Sequence, residues 1–136
     1  MYQTRLKINV PFFDVDAMHV VWHGHYVKYL EMARSELLRL FNYDYPEMEA
    51  NGHLWPIVDL RLKYVASARY GQDVEVIATL KEWEHRLRID YVIQCCDTEQ
   101  VLTKATSIQV AVAIDTQEML FESPPILFER LGVEPS

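Results

Sequence analysis

Residues 14 to 25, Asp-Val-Asp-Ala-Met-His-Val-Val-Trp-His-Gly-His, gather two carboxylates, three imidazoles and a glycine into twelve positions. A carboxylate in such a stretch can attack an electrophilic carbon as a nucleophile or take a proton from water as a general base. Read without further context, Asp16 is equally an ordinary loop carboxylate that hydrogen-bonds backbone near a helix start. Asp14, Asp16, His19, His23 and His25 also carry enough nitrogen and oxygen for zinc or iron. The spacing H-x-x-x-H-x-H straddles a loop and a helix start, however, so no metal is expected. The His23 ring caps the helix or lines a pocket, His25 faces solvent, and His53 precedes a strand with no partner in view.

The segment from Gly24 onward must position these groups. Tyr26, Tyr29, Leu30, Ala33, Leu37, Leu40 and Phe41 recur there at helical spacing, with Lys28, Glu31, Ser35 and Arg39 mostly on the other side, so a helix is expected from Gly24 to about Phe41. Residues 4 to 13 read as a first strand ended or edged by Pro11. After a loop marked by Asn42, Asp44, Pro46 and Gly52, with a short helical turn over 46–50, the chain alternates as strands do. The stretches are "IVDLRLKYVA", "DVEVIATLKEWE", "LRIDYVIQCC" and "VLTKATSIQVAVAID". In the last of these Leu102, Ile108, Val110, Val112 and Ile114 are expected on one face. Short links around His85, at 97–100 and at 115–118 suit hairpins, so these strands should be antiparallel neighbours. "PPILFERLG" predicts a short final helix closing on Gly132. The fold class is α+β: an antiparallel sheet wrapped around one long helix. No internal repeat or linker breaks the chain, and one domain over 1–136 is expected.

Composition excludes several functions. With 136 residues, half of them hydrophobic, the chain can bury a core. Its net charge of −7 and pI near 5.1 oppose a general affinity for nucleic acid. Neither a signal-peptide core nor an apolar run of roughly 20 residues is present, so no membrane insertion and a cytoplasmic location are expected. Cys95 and Cys96 are adjacent in a strand-like stretch, point to opposite faces, and read as reduced packing residues.

The pattern D-x-D-A-x-x-V-V-W-H-x-x-Y-x-x-Y-L-E, from Asp14 to Glu31, resembles the hotdog-fold thioesterases of the 4-hydroxybenzoyl-CoA thioesterase family and the acyl-CoA thioesterases associated with bacterial Tol-Pal clusters. "YVASARYGQDVEV" at 64–76 and "KEWEHRLRIDYVI" extend the resemblance over most of the chain. It implies hydrolysis of an acyl-CoA thioester without metal or organic cofactor, coenzyme A being part of the substrate. It also implies that Asp16 is the catalytic aspartate and that the backbone N–H of His23, at the helix start, polarises the thioester carbonyl. The physics agrees, because the first turn of a helix has unpaired N–H donors and the positive end of its dipole. Asp14 is then a loop-stabilising acid and Glu31 a structural one. Around them Val21, Trp22, Gly24 and Tyr26 would contact the substrate, with Met18 and Trp55 as further candidates for an acyl pocket.

The resemblance weakens after "KEW". The aromatic thioesterases carry a basic cluster there for the nucleotide of coenzyme A, whereas Glu84 and His85 precede Arg86 and Arg88 in this chain. Arg61, Lys63, Arg69, Arg86 and Arg88 are the candidate phosphate ligands. Acyl carrier protein is an alternative thiol carrier, opposed by the acidity of both proteins. A homodimer, or a tetramer of two dimers, is expected because a lone sheet would leave an edge open. The rival functions are a hotdog hydratase or dehydratase, which would show a catalytic His paired with an acid in a different motif, and a non-catalytic thioester-binding subunit, which would tolerate loss of Asp16.

Overall fold

Tyr26, Tyr29, Leu30, Ala33 and Leu37 recur every three or four residues, and in the computed structural model, which describes residues 2–134, they form the buried stripe of helix α1 (His25–Arg39). The helix ends two residues before the expected limit at Phe41. Leu40, counted on the apolar stripe, is exposed, while Phe41 is buried beyond the helix against Tyr2. One charged residue breaks the pattern from the other side. Arg34 is buried, its guanidinium donating to Glu31 and to the Tyr45 hydroxyl.

The first strand, β1 (Gln3–Asn9), is shorter than the stretch 4–13 read from sequence. Pro11 lacks an N–H for the ladder, and it opens a 3-10 turn over Phe12–Asp14 instead. That turn throws Phe12 and Phe13 to the surface, each 70 % exposed, and swings Asp14 inward. Helix α2 (Tyr45–Ala50) follows α1 and starts with a capping box, in which Asp44 accepts from the Tyr45 N–H and Glu47 accepts from the Asp44 N–H.

The remaining strands are β2 (His53–Leu54), β3 (Ile57–Tyr64), β4 (Asp73–Glu82), β5 (Leu87–Cys95), β6 (Val101–Gln109) and β7 (Val112–Ala113). The links at His85 and 97–100 are hairpins, as their length predicts: β4 pairs β5 and β5 pairs β6, both antiparallel. The turn at 70–73 is not a hairpin. The main sheet has the order β1-β4-β5-β6-β3, so β4 lies between β1 and β5, while β3 crosses to the far edge and pairs only with β6. β2 and β7 form a separate two-stranded ladder. α1 lies across β4 and β1, and α3 (Pro125–Leu131) closes the chain, with Gly132 taking the left-handed conformation (φ 73°) that ends it.

The expected face of β6 is wrong. Thr103, Ala105, Ser107 and Gln109 point into the core, and Ile108 and Val110 are only half-buried. The polar inward set is partly satisfied: Ser107 bonds the Tyr91 hydroxyl at 2.7 Å and Gln109 Nε2 donates to the Trp55 carbonyl at 2.8 Å, while Gln109 Oε1 and Thr103 Oγ1 find no protein partner among the described residues. Leu102 does reach the core, beside a register shift between Ile93 and Gln94 that resets the alternation. Cys95 is buried and Cys96 half-buried, neither in a disulfide; hydrogen bonds from Thr98 and Gln72 draw the Cys95 thiol down to about 7. Among the described residues no helix is long and apolar enough to cross a membrane.

Candidate active site

Asp16 occupies one limb of a miniature hairpin between the 3-10 turn and α1. The Trp22 N–H donates to the Asp14 carbonyl at 3.0 Å, Val15 and Val21 are bridged, and the Asp16 N–H donates to the Val20 carbonyl at 2.9 Å. A tight reversal over 17–19 joins the limbs, with His19 at a φ of 63°. The second limb is stitched in turn to the β3–β4 connection, the Val21 N–H donating to Ala68 at 2.8 Å and Val20 bridging Arg69. The Asp16 carboxylate therefore stands on a fixed frame. One of its oxygens accepts from the Met18 N–H at 2.8 Å, and the side chain is exposed.

The start of α1 lies at the end of that hairpin. Gly24 already has helical angles (φ −67°, ψ −25°), and no side chain caps the helix. A Cβ on Gly24 would collide with the Trp22 ring, which folds back toward His25, 5.4 Å away between centroids. The N–H groups of His25 and Tyr26 donate to Trp22 and His23 carbonyls. For the N–H of His23 no protein acceptor is found among the described residues. This N–H lies one residue before the N-cap Gly24, at the positive end of a 15-residue helix, where it can donate to an oxyanion.

Asp16 and His23 line one cleft of about 300 Å³, together with Val21 and Tyr26 from this region, Tyr64 at the end of β3 and residues 65–67 after it. Tyr64 was not singled out by sequence. Its hydroxyl donates to the His23 carbonyl at 3.2 Å, and its ring meets Tyr26 at 5.3 Å. The Tyr26 hydroxyl accepts from the Ala68 N–H at 2.9 Å, and burial pushes its ionisation upward. Two tyrosines thus hold the helix start against the β3–β4 connection. The sequence signals for Tyr64 were its place at the end of a strand and at the head of the stretch 64–76 that extends the resemblance.

Asp14 is the opposite of Asp16. It is 2 % exposed, and its two oxygens accept from Lys28 Nζ and the Tyr29 hydroxyl, each at 2.6 Å, with His25 Nδ1 3.8 Å away. Burial would raise its carboxyl, but the hydrogen bonds from Lys28 and Tyr29 and the charge of Lys28 outweigh it and hold the group below its ordinary range. The same pairing, with burial, raises Tyr29 strongly.

The other sequence candidates are dispersed. Trp22 is half exposed outside the cleft, Met18 is at the surface, and Trp55 is buried with its indole N–H on the Tyr43 hydroxyl at 3.0 Å. Arg69 is exposed on the connection beside Val20. Arg61 and Lys63 lie on the outer face of β3, where Lys63 is the register partner of Lys104, a third cation that sequence did not single out. Arg86 and Arg88 sit at the other end of the strands, paired with Glu82 at 2.9 Å and Asp90 at 3.2 Å.

The model of the Thioesterase-like superfamily matches residues 10–131, and the chain belongs to that family. Among curated relatives, the protein sll0410 of Synechocystis, which carries a provisional esterase name, is 31 % identical over 127 residues, 93 % of this chain and 76 % of that one. The acyl-CoA thioester hydrolase YbgC of Escherichia coli is 31 % identical over 72 residues, spanning 53 % of this chain and 54 % of YbgC. Among solved structures, Slr0204, a 1,4-dihydroxy-2-naphthoyl-CoA thioesterase from Synechocystis, superposes with a TM-score of 0.84 at 20 % identity, covering 96 % of each chain. The fold is the hotdog: an antiparallel five-stranded sheet packed on one long helix.

Proposed function

We propose that this chain hydrolyses acyl-CoA thioesters, with Asp16 and the first turn of α1 as its catalytic groups. The observation that carries the reading is the shared cleft, lined by the exposed Asp16 and by His23, a residue whose N–H has no protein acceptor among the described residues. A thioester carbonyl oxygen on the His23 N–H would place its carbon within reach of Asp16. If Asp16 takes a proton from water, hydroxide adds to the carbon and the oxyanion forms on the helix start; collapse breaks the C–S bond and releases acid and thiol. If Asp16 attacks directly, the C–S bond breaks to give a mixed anhydride, which water then opens. Both routes build negative charge at the same oxygen, where a fixed donor lowers the barrier most. Neither route calls on a metal or an organic cofactor.

Val21, Trp22, Gly24 and Tyr26 would surround the reacting thioester. Arg61, Lys63 and Arg69, joined by Lys104, are proposed to take the phosphates of coenzyme A. Like charges facing across a ladder, as Lys63 and Lys104 do, are stabilised when an anion lies between them. The open edge of β3 is the proposed seam of a homodimer, alone or paired into a tetramer. Two-fold pairing there runs antiparallel, so the partner's Arg86 and Arg88 would approach the Tyr64 end of β3 and the cleft beside it.

The test is thiol release from short, medium, long and aromatic acyl-CoAs by the wild type and by Asp16→Asn. At least one substrate should be turned over, and the substitution should remove most of that activity while circular dichroism shows the fold retained. Full activity in a folded Asp16→Asn variant would exclude the role given to Asp16.

A further inference from the structure

Asp14 makes more contacts than a loop acid needs. Its side chain ties the 3-10 turn to the exposed flank of α1 through Lys28 and to the buried flank through Tyr29, both at 2.6 Å. Its carbonyl accepts from the Trp22 N–H, the residue before His23, and its chain neighbour Val15 carries the bridge to Val21. Lys28 is held over this junction as well, its ammonium 5.4 Å from the Tyr29 ring and 5.9 Å from the Phe13 ring. One residue therefore fixes two separations at once. The side chain sets the distance from the loop to α1, and the main chain sets the distance from the Asp16 limb to the His23 limb.

From this geometry we infer that Asp14, Lys28 and Tyr29 form an ionic clamp that positions the Asp16 carboxylate relative to the His23 N–H ahead of α1. The inference rests on the thioesterase reading and adds positioning residues to it. Asp14 touches neither cleft nor substrate, and it acts through the hairpin that carries Asp16. An error of about 1 Å between a reacting carboxylate and an oxyanion donor can cost on the order of a hundredfold in turnover. The binding of the rest of the thioester, made elsewhere on the surface, would be untouched.

Asp14→Asn removes the charge and turns one of the two acceptor oxygens into a donor, so Lys28 and Tyr29 can no longer both donate to it. Its expected effect is a fall in kcat of about a hundredfold with KM changed by less than about threefold. Should that variant not fold, Lys28→Met and Tyr29→Phe each delete one bond from the helix side, and each should lower kcat by about tenfold with KM retained. Lys28→Arg keeps a cation on a half-exposed stem and should restore kcat to within about threefold of wild type. Amide hydrogen exchange over residues 14–22 gives a readout independent of chemistry: it should quicken in Lys28→Met and not in Lys28→Arg. Folded variants that keep the wild-type kcat, or that change KM alone, overturn the positioning role. If the wild type turns over no thioester, the thioesterase reading fails and Asp14's part in it falls too, while hydrogen exchange still reports whether the clamp holds the loop.

Discussion

The two ends of the main sheet use their hydrogen bonds differently. At the end where β4 meets β5, Arg86 is paired with Glu82, Arg88 with Asp90, the Ser123 hydroxyl with the Trp83 carbonyl, and the Ser123 N–H with Glu84 at 2.9 Å. At the other end, about 30 Å away along a ten-residue strand, Asp16 is exposed with one oxygen engaged, and the His23 N–H has no protein acceptor among the described residues. Polar groups paired at one end and spare at the other fit a ligand that supplies the missing partner at the cleft. Asp14 and Asp16 show the same contrast within three residues. The first is buried and saturated and holds the frame; the second stands on the frame and is available.

The largest test of this contrast deletes the spare donor. His23→Pro removes the N–H just ahead of the N-cap Gly24, where no helix hydrogen bond is lost, and turnover should fall on the order of a hundred- to a thousandfold. His23→Ala keeps the N–H and should retain substantial activity, with circular dichroism confirming both folds. If the two variants are equally inactive, the imidazole is the working group and the mechanism must be rebuilt around it.

A smaller effect asks whether the two ends are independent. Were β3 edges to join two copies, Arg88→Ala would weaken a phosphate contact in the partner's cleft, and KM for an acyl-CoA should rise by roughly tenfold with kcat unchanged. An unchanged KM would mean that the far end serves the fold alone. The smallest expected change comes from Tyr64→Phe, which removes one hydrogen bond to the His23 carbonyl and keeps the ring against Tyr26. Loss of up to about 1 kcal/mol of support for the helix start should slow turnover a fewfold, measured on the same substrate.

The geometry of the candidate site was partly legible because its signals are local: Asp16 and His23 lie in one contiguous motif, and the hairpin that carries Asp16 closes within nine residues, from the Asp14 carbonyl to the Trp22 N–H. Tyr64 and Lys104 escaped for the opposite reason. Lys104 meets Lys63 through pairing across the sheet, and Tyr64 reaches the His23 carbonyl from 41 positions away in sequence; an alternating strand gives no indication of which neighbour it will meet. The misassigned face of β6 has the same origin. Apolar residues at even positions suggested a core face, but pairing with β5 put Ser107 and Gln109 inside, where the Tyr91 hydroxyl bonds Ser107 and the Trp55 carbonyl accepts from Gln109 Nε2.

What the residues determined by themselves are the elements. The stripe of Tyr26, Tyr29, Leu30, Ala33 and Leu37 specifies α1, strict alternation specifies β4 and β5, and short polar links force them into hairpins, since each of these depends on neighbours a few positions away. Only the tertiary structure decided that β3 crosses to the open edge, that Tyr64 lies beside the start of α1, and that Asp14 is buried while Asp16 is not. Those outcomes depend on long-range strand pairing and on Lys28 and Tyr29 arriving from a helix turn to neutralise a carboxylate. That balance between desolvation and pairing exists only once the chain has folded.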